Sequence, residues 1–172
     1  MGSIGQWHLR NVYSKYGDDI TLLAYRAKGS ARTISRDLTT EENIDFTAKY
    51  PLRTYTYLKE APSQSPDEAF ICNPINLHRS LSLAAANAGC DLFIEKPVSH
   101  SVEGFDELVF ICKSKEIVCA MRCQFSCQPS YTLLKKLISE KAVGNILSVH
   151  AEAAACGLPW KWTKRIENSF SS

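Results

Sequence analysis

Hydrophobic positions along this chain follow two periods in turn, one near 3.6 residues and one near 2. Between Gln6 and Tyr16, the residues Trp7, Leu9, Val12, Tyr13 and Tyr16 share one face of an amphipathic helix that Gly17-Asp18-Asp19 ends. Ile20 to Tyr25 is a short apolar run rich in strand formers. The polar stretch Arg26 to Thr40 reads as a loop with a weak helical portion, and Glu41 to Lys49 as a short helix. Leu52 to Tyr57 alternates like a half-buried strand, and Pro62 to Asp67 is punctuation. Ala69 to Cys72 predicts a strand ending at Asn73-Pro74, Asn76 to Ala88 a helix with Gly89 as its C-cap, and Leu92 to Ile94 the next strand. Val102 to Ser114 predicts a helix, Ile117 to Met121 a strand, Ser130 to Glu140 a helix and Ile146 to Ala154 a further strand.

Strands and helices therefore alternate. Parallel strands need a crossover, and an amphipathic crossover helix buries its apolar stripe on the sheet, so the order predicts an α/β fold with a parallel sheet covered on both faces. No internal repeat or low-complexity segment interrupts it.

Composition narrows the ligand. The 172 residues are 45% hydrophobic and 22% charged, with a net charge of +2, so no basic field points to nucleic acid or a membrane surface, and a small molecule is the expected partner. Seven cysteines are odd in number and lie mostly in apolar runs such as Phe70-Ile71-Cys72 and Phe110-Ile111-Cys112, which reads as buried free thiols rather than a disulfide framework. Cys119, Cys123 and Cys127 recur every four residues but lack paired CxxC spacing and a nearby histidine, so no metal site is expected. The N-terminal segment does not read as a signal peptide, and no apolar run approaches the ~18 residues of a membrane span, so a cytoplasmic setting is expected.

Candidate chemistry begins at Gly2-Ser3-Ile4-Gly5, which directly precedes a helix and matches the second half of a dinucleotide-binding turn. The turn's first glycine and the strand before it are absent. About 20 residues past Gly5, where such folds place an acid on the ribose, stands Arg26, whose guanidinium suits a 2′-phosphate and favours NADP over NAD. Later come Phe70-Ile71-Cys72-Asn73-Pro74-Ile75-Asn76-Leu77-His78 and Gly89-Cys90-Asp91-Leu92-Phe93-Ile94-Glu95-Lys96-Pro97. These segments resemble the glucose-fructose oxidoreductase and inositol dehydrogenase family, Gfo/Idh/MocA, whose strands end in an Asn-Pro or Thr-Pro pair and in Glu-Lys-Pro. The likeness extends over almost the whole chain, through His8-Leu9-Arg10 to Gly144-Asn145-Ile146-Leu147-Ser148-Val149.

The resemblance implies a Rossmann-like doubly wound parallel sheet over residues 1–143, lacking its first strand, and the start of a mixed α+β substrate and oligomerisation domain over 144–172. It implies hydride transfer between NAD or NADP and a hydroxyl-bearing carbon of a sugar, sugar derivative or cyclitol. Lys96 matches the family's active-site lysine, in keeping with the need for a group that accepts the hydroxyl proton and stabilises alkoxide character. Glu95 matches a cofactor-contacting position, Pro97 the turn that presents the lysine, through a cis bond as the family suggests, and Asn73, Pro74 and His78 the surroundings of the pyrophosphate and nicotinamide ribose. Gln124 resembles a residue facing the nicotinamide, with Ser126 where the family usually has arginine. Trp160 and Trp162 resemble a loop that closes over the substrate. His8 and His100 read as structural.

The family's second domain supplies an aspartate and histidine motif that nothing here matches, since His150 falls in a predicted strand before that region. The expectation is therefore an incomplete, truncated enzyme, homo-oligomeric in a full-length relative, with a catalytically inactive nucleotide-binding or regulatory protein as the alternative. A methyltransferase on a similar sheet is disfavoured by Glu95-Lys96-Pro97.

Overall fold

The computed structural model describes residues 1–25, 33–35, 39–41, 46–57 and 60–152. The chain divides into two compact units, Met1–Arg122 and Cys123–Ser172. The first unit contains helix α1 (Ser3–Tyr16), strands β1 (Leu22–Tyr25), β2 (Thr33–Ile34) and β3 (Thr40–Glu41), and the single helical turn α2 (Phe46–Lys49). It continues with β4 (Leu52–Tyr55), β5 (Glu68–Ile71), α3 (His78–Asn87), β6 (Asp91–Ile94), α4 (Phe105–Ser114) and β7 (Cys119–Met121). The second unit contains a 3-10 turn at Gln124–Cys127 and helix α5 (Pro129–Ser139), which has proline in its first turn where a missing N–H costs nothing.

The parallel pairing predicted from the alternation is present in two sheets. β1 runs parallel to β4, with Leu22 opposite Leu52 and Tyr25 opposite Tyr55. β5, β6 and β7 form a second parallel sheet, in which Ala69 faces Leu92 and Leu92 faces Cys119. Among the described residues no ladder joins β1 to β5, so the two parallel sheets are separate.

The pleat decides which residues reach the core. On one face of the second sheet Ile71, Leu92 and Ile94 meet Leu81, Ala85 and Ala86 of α3 and Leu108 and Cys112 of α4 in one buried cluster. On the opposite face Phe70 and Phe93 turn towards α1, where their rings pack against His8 at centroid distances of 5.6 and 5.3 Å. Cys90 and Cys112 are buried free thiols, the role expected of cysteines in apolar runs, whereas Cys72 is half-buried and Cys119, Cys123 and Cys127 are exposed.

Glycines close the helices where a positive φ is needed. Gly89 (φ 90°) follows α3, and the amides of Gly89 and Cys90 cap the carbonyls of Ala86 and Ala85. Gly104 (φ 72°) caps α4, and a methyl group there would run into the guanidinium of Arg79. Gly104→Ala is expected to lower stability by about 1–2 kcal/mol, the cost of a left-handed residue carrying a Cβ. A urea melt checks this, and an unchanged midpoint would show that α4 starts equally well without the glycine.

Beyond shifts of two or three residues at other element ends, the structure departs from the sequence reading at the start of α1, at β2 and β3 and after Gly144. α1 begins at Ser3 rather than Gln6, with Gly2 as an extended N-cap. In the stretch read as a loop and at Glu41, read as the first residue of a short helix, β2 and β3 pair antiparallel. They are held from outside: Gln6 Oε1 accepts the Ile34 N–H at 2.9 Å, and an Arg10 N–H donates to Ile34 O at 2.5 Å. The strand expected over 146–154 is not formed by the described residues 146–152. Leu147 is 96% exposed, and an alternating segment becomes a strand only when a neighbour offers it a ladder.

Candidate functional site

β5, β6 and β7 run parallel, so their carboxyl ends deliver Cys72-Asn73-Pro74, Glu95-Lys96-Pro97 and Arg122 to the same edge of the sheet. Ligands of open α/β sheets bind at this edge. The ladder continues one residue beyond β6 and β7, because the Glu95 N–H donates to Ile71 O and the Arg122 N–H to Ile94 O, each at 3.0 Å. Both side chains are thereby aimed before any of their own contacts form.

Those contacts make a buried ionic cluster beneath α1. Glu95 is 7% exposed and His8 is 8% exposed. Both His8 Nε2, at 2.7 Å, and the Arg122 guanidinium, at 3.0 Å, bond to Glu95 Oε1. The guanidinium carbon lies 5.0 Å from the centre of the Trp7 ring, a cation–π contact, and the Trp7 and His8 rings meet edge-on at 5.1 Å. Burial alone pushes the Glu95 carboxyl up, but the His8 hydrogen bond and the Arg122 charge outweigh it and hold the group below its ordinary value. An ionised carboxylate only accepts, so His8 carries its proton on Nε2. At the end of β5 the Cys72 thiol is pushed up to about 12, by burial first and by the Glu95 charge second, with Arg122 opposing both. That thiol is a neutral lining group.

Lys96 follows this cluster and is exposed. The Lys96–Pro97 bond is cis, as the resemblance implies. Pro97 O lies 2.9 Å from His78 Nδ1, and Asn73 O lies 2.7 Å from His78 Nε2. The sequence reading sets His78 among cofactor contacts. In the structure it is 2% exposed and turned inward, with both ring nitrogens on backbone carbonyls. Pro74 is exposed and caps the turn Ile75–Leu77 that leads into α3.

The N-terminus of α1 fits an anion. No side chain caps it, the first-turn amides of a helix have no intrahelical partner, and a Cβ on Gly2 would meet nothing within 4 Å. Ser3 and Ile4 are exposed beside it. Gly5 is closed in, since a Cβ there would lie 2.6 Å from Met1 Cγ and 3.7 Å from Cys72 Cβ, which lets α1 approach the end of β5. The two glycines thus divide the roles expected of a dinucleotide turn, open access at Gly2 and close packing at Gly5.

Of the residues singled out from sequence, Gly2 to Gly5 form the start of α1, and Asn73, Pro74, Glu95 and Lys96 lie on the two strand-end turns. Gln124 stands in the 3-10 turn of the second unit, and its side chain lies outside the described residues, as do Arg26, Trp160 and Trp162. His8 is structural, as read, but its partner is Glu95. Arg122 was not anticipated. Its position immediately after a strand, at the edge that binds ligands, was the available signal.

Residues 1–123 match the family model described as an oxidoreductase family with an NAD-binding Rossmann fold. Over 78 residues the chain is 36% identical to levoglucosan dehydrogenase of Pseudarthrobacter phenanthrenivorans, covering 45% of this chain and 20% of that protein. Over 145 residues it is 25% identical to scyllo-inositol 2-dehydrogenase (NAD(+)) of Bacillus subtilis, covering 84% of this chain and 40% of that protein. In fold it is similar to the crystal structure of myo-inositol 2-dehydrogenase from Lactobacillus plantarum, with a TM-score of 0.65 and 24% identity, across 84% of this chain and 40% of the other. The chain thus spans two fifths or less of the length of these relatives.

Proposed function

The chain belongs to the Gfo/Idh/MocA oxidoreductase family with an NAD-binding Rossmann fold, and from that premise we propose that it binds a nicotinamide dinucleotide and serves hydride transfer at a hydroxyl-bearing carbon of a sugar, sugar derivative or cyclitol. The observation that carries this reading is the exposed Lys96 at the carboxyl end of β6, directly following the clamped carboxylate of Glu95. Exposure leaves its ammonium free to meet a substrate. The clamp fixes the backbone from which it projects.

The open N-terminus of α1 holds the pyrophosphate through backbone amides, with Gly2, Ser3 and Ile4 at the contact and Gly5 packing behind. Asn73 and Pro74 border the same edge. Glu95 acts from within, through the turn it anchors. The nicotinamide supplies the hydride acceptor or donor when bound. Lys96 holds the proton of the substrate hydroxyl as alkoxide character develops, and Gln124 is assigned to the nicotinamide side. Arg26, beyond β1, favours the 2′-phosphate of NADP. The partner of this reading is a small polyol substrate. Among the described residues no helix is long and apolar enough to cross a membrane, and the free thiols suit a reducing, cytoplasmic setting.

Fluorescence titration of the chain with NADPH and NADH tests the proposal. Saturable binding is expected, tighter for NADPH by about tenfold, the worth of one charge-assisted phosphate contact. Lys96→Ala should leave the affinity unchanged. Failure of both nucleotides to saturate sinks the reading, and a preference for NADH removes Arg26 from the site.

A further inference from the structure

We propose that His78 is the positioning residue for Lys96, tying the two strand-end turns, Cys72 to Leu77 and Glu95 to Ser101, into one mechanical unit. The ring opens α3 and is 2% exposed, with Nε2 at 2.7 Å from Asn73 O and Nδ1 at 2.9 Å from Pro97 O. A carbonyl oxygen only accepts. The ring donates its N–H to one carbonyl and sits against the other, so its two nitrogens place one side chain between one carbonyl of each turn. The arrangement is thus a strap between two loops.

Its consequence falls on Lys96. On the N-terminal side, Glu95 is fixed by His8 and Arg122 through its side chain and by Ile71 through its amide. On the C-terminal side, Pro97 is held through its carbonyl by His78. The exposed lysine is therefore suspended between two anchored neighbours, and the second anchor also secures the Asn73-Pro74 turn. The value of this to hydride transfer rests on the function proposed above. The coupling of the turns does not, and it is measured without nucleotide or substrate.

Amide hydrogen exchange on the full chain reads the strap directly. The Leu77 amide, bonded to Pro74 O, reports the first turn, and the Ser101 amide, bonded to Ser99 Oγ, reports the second. The Leu92 amide, bonded to Val118 O, reports the sheet. In His78→Leu, exchange at Leu77 and Ser101 is expected to rise together by about tenfold while Leu92 keeps its rate, a local opening rather than a general loss of stability. Acceleration of one turn alone, or of Leu92 in step with both, overturns the proposal. The wild-type ring gives a second measurement that no folding defect can obscure. ¹⁵N-edited spectra should show the His78 ring N–H protected from water, unlike that of the exposed His100. A His78 ring proton exchanging as fast as that of His100 would equally refute the strap.

Discussion

Glu95→Ala lowers the stability of the first unit by about 3 kcal/mol, because it removes the one carboxylate that serves both His8 and Arg122 and leaves a largely buried guanidinium without a counter-charge. The three side chains retain 9%, 10% and 21% of their exposure, so solvent screens the pair little. Glu95→Gln keeps the shape and loses the charge, and costs about half as much. The sign with pH follows from the carboxyl being held below its ordinary value of 4.5 when folded. Its contribution is complete above that value and is lost as pH falls through the folded-state value. Urea melts of wild type and Glu95→Ala near neutrality and in acid check both statements. The gap between the two proteins must narrow in acid. A gap independent of pH would mean that packing, not charge, accounts for the loss.

Lys96→Ala acts on chemistry instead. With a sugar or cyclitol substrate and the preferred dinucleotide, kcat is expected to fall by about 10²–10⁴-fold, the range for removing a group that handles a proton in the transition state. Lys96 is exposed and its ammonium makes no ion pair among the described residues, so the urea midpoint should stay within about 0.5 kcal/mol of wild type. Lys96→Arg keeps the charge but holds its proton too firmly to exchange it, and is expected to recover little turnover. Steady-state kinetics alongside nucleotide titration separates the possibilities. Turnover within about threefold of wild type in Lys96→Ala would reduce the lysine to a surface residue beside a turn.

The segment from β5 to β6 was legible because each level of the sequence agreed there. Ala69 to Ile71 and Leu92 to Ile94 are compact apolar runs, Pro74 stops the first, and Gly89 closes a helix whose leucines and alanines recur at one face. The β2–β3 pair was not legible. Two-residue strands carry no period, and this pair depends on Gln6 and Arg10, which lie 28 and 24 residues away from Ile34. The expected strand after Gly144 failed for the converse reason, since alternation specifies a face and does not supply the ladder that faces it. At the site, the motifs located both strand-end turns but not what anchors them. Glu95 meets His8 across 87 residues and Arg122 across 27. His78 was placed on the right turn, but its burial against Asn73 O and Pro97 O was not legible, because spacing fixes where a ring lies and not which way its nitrogens point.

The sheet of β5, β6 and β7 has β6 paired on both sides, while β5 and β7 are each paired on one side only among the described residues. β7 reads Cys119-Ala120-Met121, exposed throughout and without a charge, and Val118 before it is exposed as well. Nothing on that strand repels another chain. A parallel sheet whose rims are unpaired among the described residues is a template to which a further strand can add, so crowding turns a folding problem into a colloidal one. The amount of this chain that stays in solution is therefore expected to depend on how concentrated it becomes as well as on how firmly each copy is folded.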